Sequence, residues 1–208
     1  MNKIKPFWSW NDRLEKEELV RQIELMKESG IEGFFMHARG GLKTEYMGDD
    51  WFDCIKACMD KANELNMEAW AYDENGWPSG FASGIVPKKS VDFQQKKLET
   101  AVLNKDDKLP ENLLGLYRVR ENGFEKISSA EDGCFAAYYT VNSYYIDTFN
   151  PAAIKCFINE THEKYYKRFG NRFGSSLKGF FTDEPQYGNG ATPWSTLFPE
   201  LFLKEYGY

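Results

Sequence analysis

Four short stretches of the 208-residue chain carry the side chains that could do chemistry. They are Phe7-Trp8-Ser9-Trp10-Asn11-Asp12, His37-Ala38-Arg39-Gly40-Gly41, Tyr72-Asp73-Glu74-Asn75-Gly76-Trp77-Pro78-Ser79-Gly80 and Thr182-Asp183-Glu184-Pro185. Two of them hold adjacent carboxylates. Cleavage of a glycosidic bond needs a protonated carboxyl group for the leaving oxygen and a second carboxylate on the other side of the sugar. A Glu at a strand tip, shielded by aromatic groups, can keep its proton where an exposed one would lose it. Glu184 and Asp183 are therefore the candidate catalytic groups, with Asp73 and Glu74 as candidate substrate contacts. The competing uses are a solvated acidic turn before Pro185 and loop hydrogen bonding by Asp73 and Glu74.

His37 and Arg39 are two apart, so on a strand they face the same way. A neutral imidazole and a fixed cation suit sugar hydroxyls or a carboxylate. Trp10 and Trp77 offer flat faces for a sugar ring, with packing as the alternative. His162, on a helical stripe, is expected to serve packing. A catalytic metal would need several His or carboxylate ligands converging, and only His37 and the acids qualify. No cofactor is expected, and calcium stays open because carboxylates alone can hold it.

These residues need elements to position them. The first 85 or so positions alternate strand and helix. Ile4 to Trp10 reads as a strand, and Leu14 to Ser29 as a helix with Leu19, Val20, Ile23 and Met26 on one stripe and Gly30 closing it. Ile31 to His37 is apolar almost throughout, as a parallel strand covered on both faces would be. A second helix runs from Asp50 to Leu65, and a third strand from Met67 to Asp73. Residues 85 to 149 instead read as antiparallel β, with Asn122-Gly123 as a hairpin turn. Asn150-Pro151 then opens a helix to about Phe169, as an N-cap followed by Pro at the first helical position. A fourth strand, Leu177 to Thr182, precedes Asp183-Glu184-Pro185, and Leu197 to Tyr206 begins another helix.

Repeated β-then-α units imply parallel strands with right-handed crossovers. The carboxyl ends of such strands are where barrels build active sites. A doubly wound sheet would bind there too, but no Gly-rich phosphate loop follows the first strand. The expected fold is therefore α/β of the (β/α)₈ TIM-barrel type, with only the first four βα units present and a β-rich antiparallel insert after strand three. The expected divisions are 1–84 for the first units, 85–149 for the insert and 150–208 for the continuation.

Composition narrows the class. Sixteen Phe, twelve Tyr and six Trp make 16 % of the chain aromatic, which suits both cores and sugar platforms. A formal charge of −6 and the lack of a basic stripe argue against a nucleic-acid partner. No apolar run is long enough to span a membrane. The N-terminal Met1-Asn2-Lys3-Ile4-Lys5-Pro6 lacks the apolar core of a secretory signal. The four cysteines form no Cys-x-x-Cys pair, so a reducing cytosol is the expected compartment.

The four stretches, together with Gly33-Phe34-Phe35-Met36 before His37 and Gly179-Phe180-Phe181 before Thr182, resemble bacterial glycosyl hydrolases akin to the family 106 α-L-rhamnosidases. The resemblance covers nearly the whole chain and implies the N-terminal part of a barrel catalytic domain in a longer protein. Thr182-Asp183-Glu184-Pro185 is also similar to the Asn-Glu-Pro that ends strand four in the large retaining-glycosidase clan. That similarity implies general acid/base work for Glu184. Asp183 stands where the clan has Asn, and the clan's nucleophile, on strand seven, has no counterpart here. The expected function is a glycoside hydrolase whose 208 residues alone lack turnover and self-associate through an exposed half-barrel. A carbohydrate-binding remnant without catalysis and a barrel lyase or isomerase are its rivals.

Overall fold

The computed structural model describes residues 4–187 and 190–207. In chain order the elements are β1 (Phe7–Trp10), α1 (Lys16–Glu28), β2 (Gly33–Ala38), α2 (Asp49–Glu64), β3 (Glu68–Asn75), β4 (Gln94–Leu103), β5 (Leu113–Arg120), β6 (Gly123–Ile127) and β7 (Cys134–Ile146). They continue with α3 (Pro151–Glu160), α4 (His162–Phe169), β8 (Leu177–Phe181), β9 (Thr192–Trp194) and α5 (Phe198–Tyr206). The chain divides into two compact units, Met1–Val86 with Lys155–Pro185, and Pro87–Ile154 with Gln186–Tyr208. Of the N-terminal Met1 to Pro6, the first three residues lie outside the described residues, and so does Tyr208.

The first unit holds a parallel sheet in the order β1-β2-β3-β8. Phe7 pairs with Phe35, Phe35 with Trp70, and Tyr72 with Phe181, so one row of rings crosses the sheet. Strand alternation sends the intervening residues to the opposite face. There Trp10, Phe34, Met36, Ala38, Ala69, Ala71 and Leu177 pack with the buried stripes of the helices. Those stripes are Leu19 and Ile23 of α1, Trp51, Phe52, Ile55, Cys58, Met59 and Ala62 of α2, and Tyr165 and Phe169 of α4. Each Leu, Ile, Phe or Met among them, taken fully out of water, contributes about 1.5–3 kcal/mol before entropy is subtracted. Small residues matter as much as large ones here. A Cβ at Gly179 would stand 2.9 Å from Cζ3 of Trp70, so only Gly lets that indole lie across β8.

The barrel expectation is overturned. The parallel strands form an open sheet of four and the remaining strands form a separate antiparallel sheet, so nothing among the described residues closes a barrel. Closure needs eight parallel strands with a consistent tilt and stagger. The chain is mixed α/β, with one parallel and one antiparallel sheet. A second difference lies between Asn150 and Phe169, where the expected single helix is two. Thr161 breaks it with φ −117° and ψ −88°, while its hydroxyl donates to the Phe157 carbonyl at 2.7 Å.

The second unit carries the antiparallel sheet, ordered β6-β5-β7-β4-β9. Its long pair is β4 with β7, running from Gln95 opposite Asn142 to Leu103 opposite Cys134. Leu103, Leu116, Cys134 and Ala136 form its small core. Lys96 is buried and donates from Nζ to the carbonyls of Gln94 (2.8 Å), Val91 (3.2 Å) and Asp92 (3.3 Å). Three oxygens compensate its burial, which lowers the ammonium pKa. Among the described residues no helix is long and apolar enough to cross a membrane.

Candidate active site at the carboxyl end of the parallel sheet

Four strand ends bring the chemistry-bearing side chains of the first unit toward one end of its sheet. Asp73 leaves β3 and is fully buried. Its Oδ1 accepts the Ser79 hydroxyl at 2.6 Å, and its Oδ2 accepts the Thr182 hydroxyl at 2.6 Å. Ser79 is pinned to the next residue of the β8 end. Its Oγ accepts the Asp183 N–H at 2.9 Å, and its N–H donates to the Asp183 carbonyl at 2.8 Å. The 73–79 loop and the 182–183 segment are thus laced together by three hydrogen bonds, and a fourth, from Ser79 to Asp73, braces the loop itself.

Glu74 points elsewhere and does different work. Its two oxygens accept the backbone N–H groups of Asn75, Gly80, Ala82 and Ser83. Ala82 and Ser83 have φ of 49° and 55°, the left-handed region that costs an L residue roughly 1–2 kcal/mol. Their strained turn aims two amides at the Glu74 carboxyl oxygens, and those hydrogen bonds offset the strain. Burial pushes the Glu74 carboxyl up to about 7, while the four amides pull in the other direction.

His37 stands on the ring-bearing face of the sheet, 5 % exposed. Its imidazole lies 4.0 Å from the Tyr72 ring and 5.1 Å from Phe7, centre to centre. Neither ring nitrogen has a hydrogen-bond partner. Burial, aided by the Arg39 cation and opposed by the Asp183 carboxylate, holds its pKa down at about 4. His37 is therefore a neutral imidazole between a cation and an anion. Phe181 lies 4.7 Å from Phe7 and 6.0 Å from Tyr72, and completes an aromatic wall. Tyr72 itself donates its hydroxyl to the Gly76 carbonyl at 2.7 Å, and burial raises its pKa.

Glu184 is exposed, with a φ of 35° that L side chains rarely adopt. Two Cα–Cα steps, about 7 Å when extended, separate it from Thr182, whose hydroxyl holds Asp73. Asp183 is half-buried, and Trp77 is 48 % exposed on the loop that Glu74 shapes. Trp10 sits differently from the other sequence candidates. It is 2 % exposed in the helix-side core, edge-on to Trp8 at 5.4 Å and Trp51 at 5.2 Å.

One participant was not anticipated. His162, expected only to pack, brings Nε2 to 3.4 Å from Oδ2 of Asp73. The signal for it is absent from the sequence, because a helix stripe does not say which strand end its first residue meets. Ser79 carries no signal for a similar reason: it lies in the loop that presents Trp77, yet it bonds both β3 and the β8 end. Among the described residues no group of three or more His, Cys, Asp or Glu side chains is placed to hold a metal ion.

No family model matches the chain, and no curated protein matches it. A solved rhamnosidase from Novosphingobium sp. PP1Y is similar to part of it, at 21 % identity and a TM-score of 0.36. The similarity covers 54 % of this chain and 11 % of that one, so the chain spans a small share of the neighbour's length. A likeness of that size transfers neither fold nor activity.

Proposed function

We propose that the carboxyl end of the parallel sheet is a carbohydrate site of the glycoside-hydrolase type, with Glu184 as general acid and Asp183 as the second carboxyl group. In this reading Glu184 protonates the leaving oxygen, and Asp183 faces the sugar carbon or its attacking water. His37 and Arg39 contact substrate hydroxyls, the rings of Phe7, Tyr72 and Phe181 form the wall, and Trp77 stacks from the loop. Asp73 fixes the β8 end. Glu74 and Trp10 belong to the framework, since the one is engaged by four amides and the other lies in the core.

The observation that carries the reading is the placement of the Asp183-Glu184 pair. Ser79, itself bonded to the buried Asp73, holds the Asp183 backbone through its N–H and its hydroxyl, and an aromatic wall with a neutral imidazole and a guanidinium accompanies the pair. Glu184 is exposed without sugar, so in this reading a sugar ring seated against the aromatic face supplies the shielding that lets it keep its proton. The left-handed φ of Glu184 adds support, because such strain gathers at functional positions.

The test pairs calorimetry on a panel of monosaccharides with turnover of aryl glycosides, for the wild type, Glu184→Gln and Arg39→Ala. The reading expects Arg39→Ala to weaken sugar binding. It expects Glu184→Gln to retain binding and lose about 10²–10⁴-fold in turnover, the usual worth of a positioned general acid. Sugar binding without turnover in the wild type would reduce the site to a carbohydrate-binding one. No sugar bound at all would end the reading.

A further inference from the structure

Arg39 stands apart from the other arginines of the chain. Arg21, Arg118, Arg120, Arg168 and Arg172 each pair with a carboxylate, and Arg13 is exposed. Arg39 is half-buried, and among the described residues its guanidinium makes no ion pair or hydrogen bond. Only its backbone is engaged, the N–H donating to the Trp10 carbonyl at 3.0 Å and the carbonyl accepting the Leu42 N–H at 3.1 Å. A planar cation held in this way suits a planar anion. A guanidinium meets a carboxylate with two parallel hydrogen bonds, and here part of its hydration is already gone.

Its neighbours supply the rest of a receptor. Residues two apart on a strand share a face, so Arg39 follows His37 on the ring-bearing side of the sheet. His37 is buried there with neither ring nitrogen bonded, an uncommon state for a buried polar group without a ligand. Ser9, opposite His37 on β1, is exposed. A neutral imidazole has one N–H to give and a hydroxyl one O–H, beside the fork of the guanidinium. The acidic groups lie away from this corner. Asp73 and Glu74 are taken up by hydrogen bonds. Asp183 and Glu184 follow β8, two strands from β2 in the order β1-β2-β3-β8. At about 4.8 Å per strand that is roughly 10 Å, the span of one sugar ring with a hydrogen bond at each end. One cation balances one negative charge, whereas a phosphate ester would bring nearly two.

We propose that the sugar taken by this site is an acidic one, a uronic acid whose carboxylate is held by Arg39, with His37 and Ser9 donating beside it. This rests on the carbohydrate reading above and narrows it. The Asp183-Glu184 end meets the glycosidic bond, and the group at Arg39, a hydroxyl in a neutral sugar, is a carboxylate. A neutral sugar would leave the half-buried guanidinium without a counter-charge, and that difference sets the preference.

Calorimetry on the full chain compares glucuronate with glucose and galacturonate with galactose, with a sulfated glucose as a second anion. The wild type should bind one of the acids about tenfold or more tighter than its neutral counterpart, the worth of a charge-assisted hydrogen bond. Arg39→Gln should bring that ratio close to one, and Arg39→Lys should restore part of it as a point charge. The ratio is taken within each protein, so a partly unfolded variant lowers both affinities and leaves it intact. Neutral sugars bound as tightly as their acids would overturn the proposal and leave the carbohydrate reading standing. A ratio unchanged in Arg39→Gln, or the sulfated glucose bound more tightly than glucuronate, would overturn it as well. No sugar bound at all would end the carbohydrate reading and this proposal with it.

Discussion

The Thr182 hydroxyl donates to Oδ2 of Asp73 across 2.6 Å and joins the end of β8 to the end of β3. Parallel neighbours share no turn that would register their ends, so this bond does locally what a hairpin does elsewhere. Its acceptor is a fully buried carboxylate, which makes its loss more costly than that of a surface contact. Thr182→Val keeps the shape and deletes the donor. It should lower the unfolding free energy by about 1–3 kcal/mol in urea titrations. Thr182→Ser should stay close to wild type, and equal loss in both variants would assign the effect to the methyl group.

Trp77 offers a contrast, since it is 48 % exposed and the fold depends on it little. Trp77→Ala should leave the urea midpoint nearly unchanged. On the proposed function it should weaken sugar binding by about 1 kcal/mol or more, the worth of an aromatic face. Calorimetry on the two proteins checks this. Unaltered affinity would confine Trp77 to shaping its loop.

Gly179 tests the aromatic face from beneath. A Cβ there would come within 2.9 Å of the Trp70 ring, closer than real Cβ contacts come. Trp70 cannot yield freely, because its indole N–H reaches Glu68 at 3.3 Å and its ring packs on Phe35 at 5.6 Å. Gly179→Ala should therefore destabilise by about 1–3 kcal/mol, the usual cost of overpacking. Trp70→Leu in the same background should recover part of it, and no recovery would place the strain elsewhere.

Much of this was legible in the residues, for identifiable reasons. The strands and helices of the first 85 or so positions follow from period, because Leu19 with Ile23 and Ile55 with Cys58 and Ala62 mark stripes that only a helix buries together. The barrel did not follow, because counting βα units gives a strand direction but not a closure. β9 left no trace, as three residues around Pro193 carry no alternation, and it pairs with β4 far away in sequence. The break at Thr161 was hidden too, since neither Gly nor Pro marks it. Within the site, residue type foretold that Asp73 would be engaged but not with what. Its partners Ser79, Thr182 and His162 come from a loop, a strand end and a helix start, and only folding brings them to one carboxylate.

Two buried groups make the pH dependence of stability testable, with opposite signs. His37 is held down at about 4 in the fold and titrates near 6.5 when unfolded. Between those values the unfolded chain binds the extra proton, so stability falls as the pH is lowered from about 6.5 to about 4. Glu74 is pushed up to about 7 from 4.5, so the folded state binds the extra proton between those values. Its contribution is complete at acid pH and is lost as the pH rises through that window. Each shift corresponds to about 3 kcal/mol at the conversion of 1.36 kcal/mol per unit. In wild type the two trends oppose each other over much of the range, so the variants carry the information. Relative to His37→Gln, wild type should lose stability on acidification. Relative to Glu74→Gln, it should lose stability on going from about pH 4.5 to about pH 7. Urea unfolding across that range measures both differences. A wild-type curve parallel to His37→Gln would mean that the imidazole finds a proton acceptor when charged. A curve parallel to Glu74→Gln would mean that the four amides of the 75–83 loop keep the carboxylate ionised throughout.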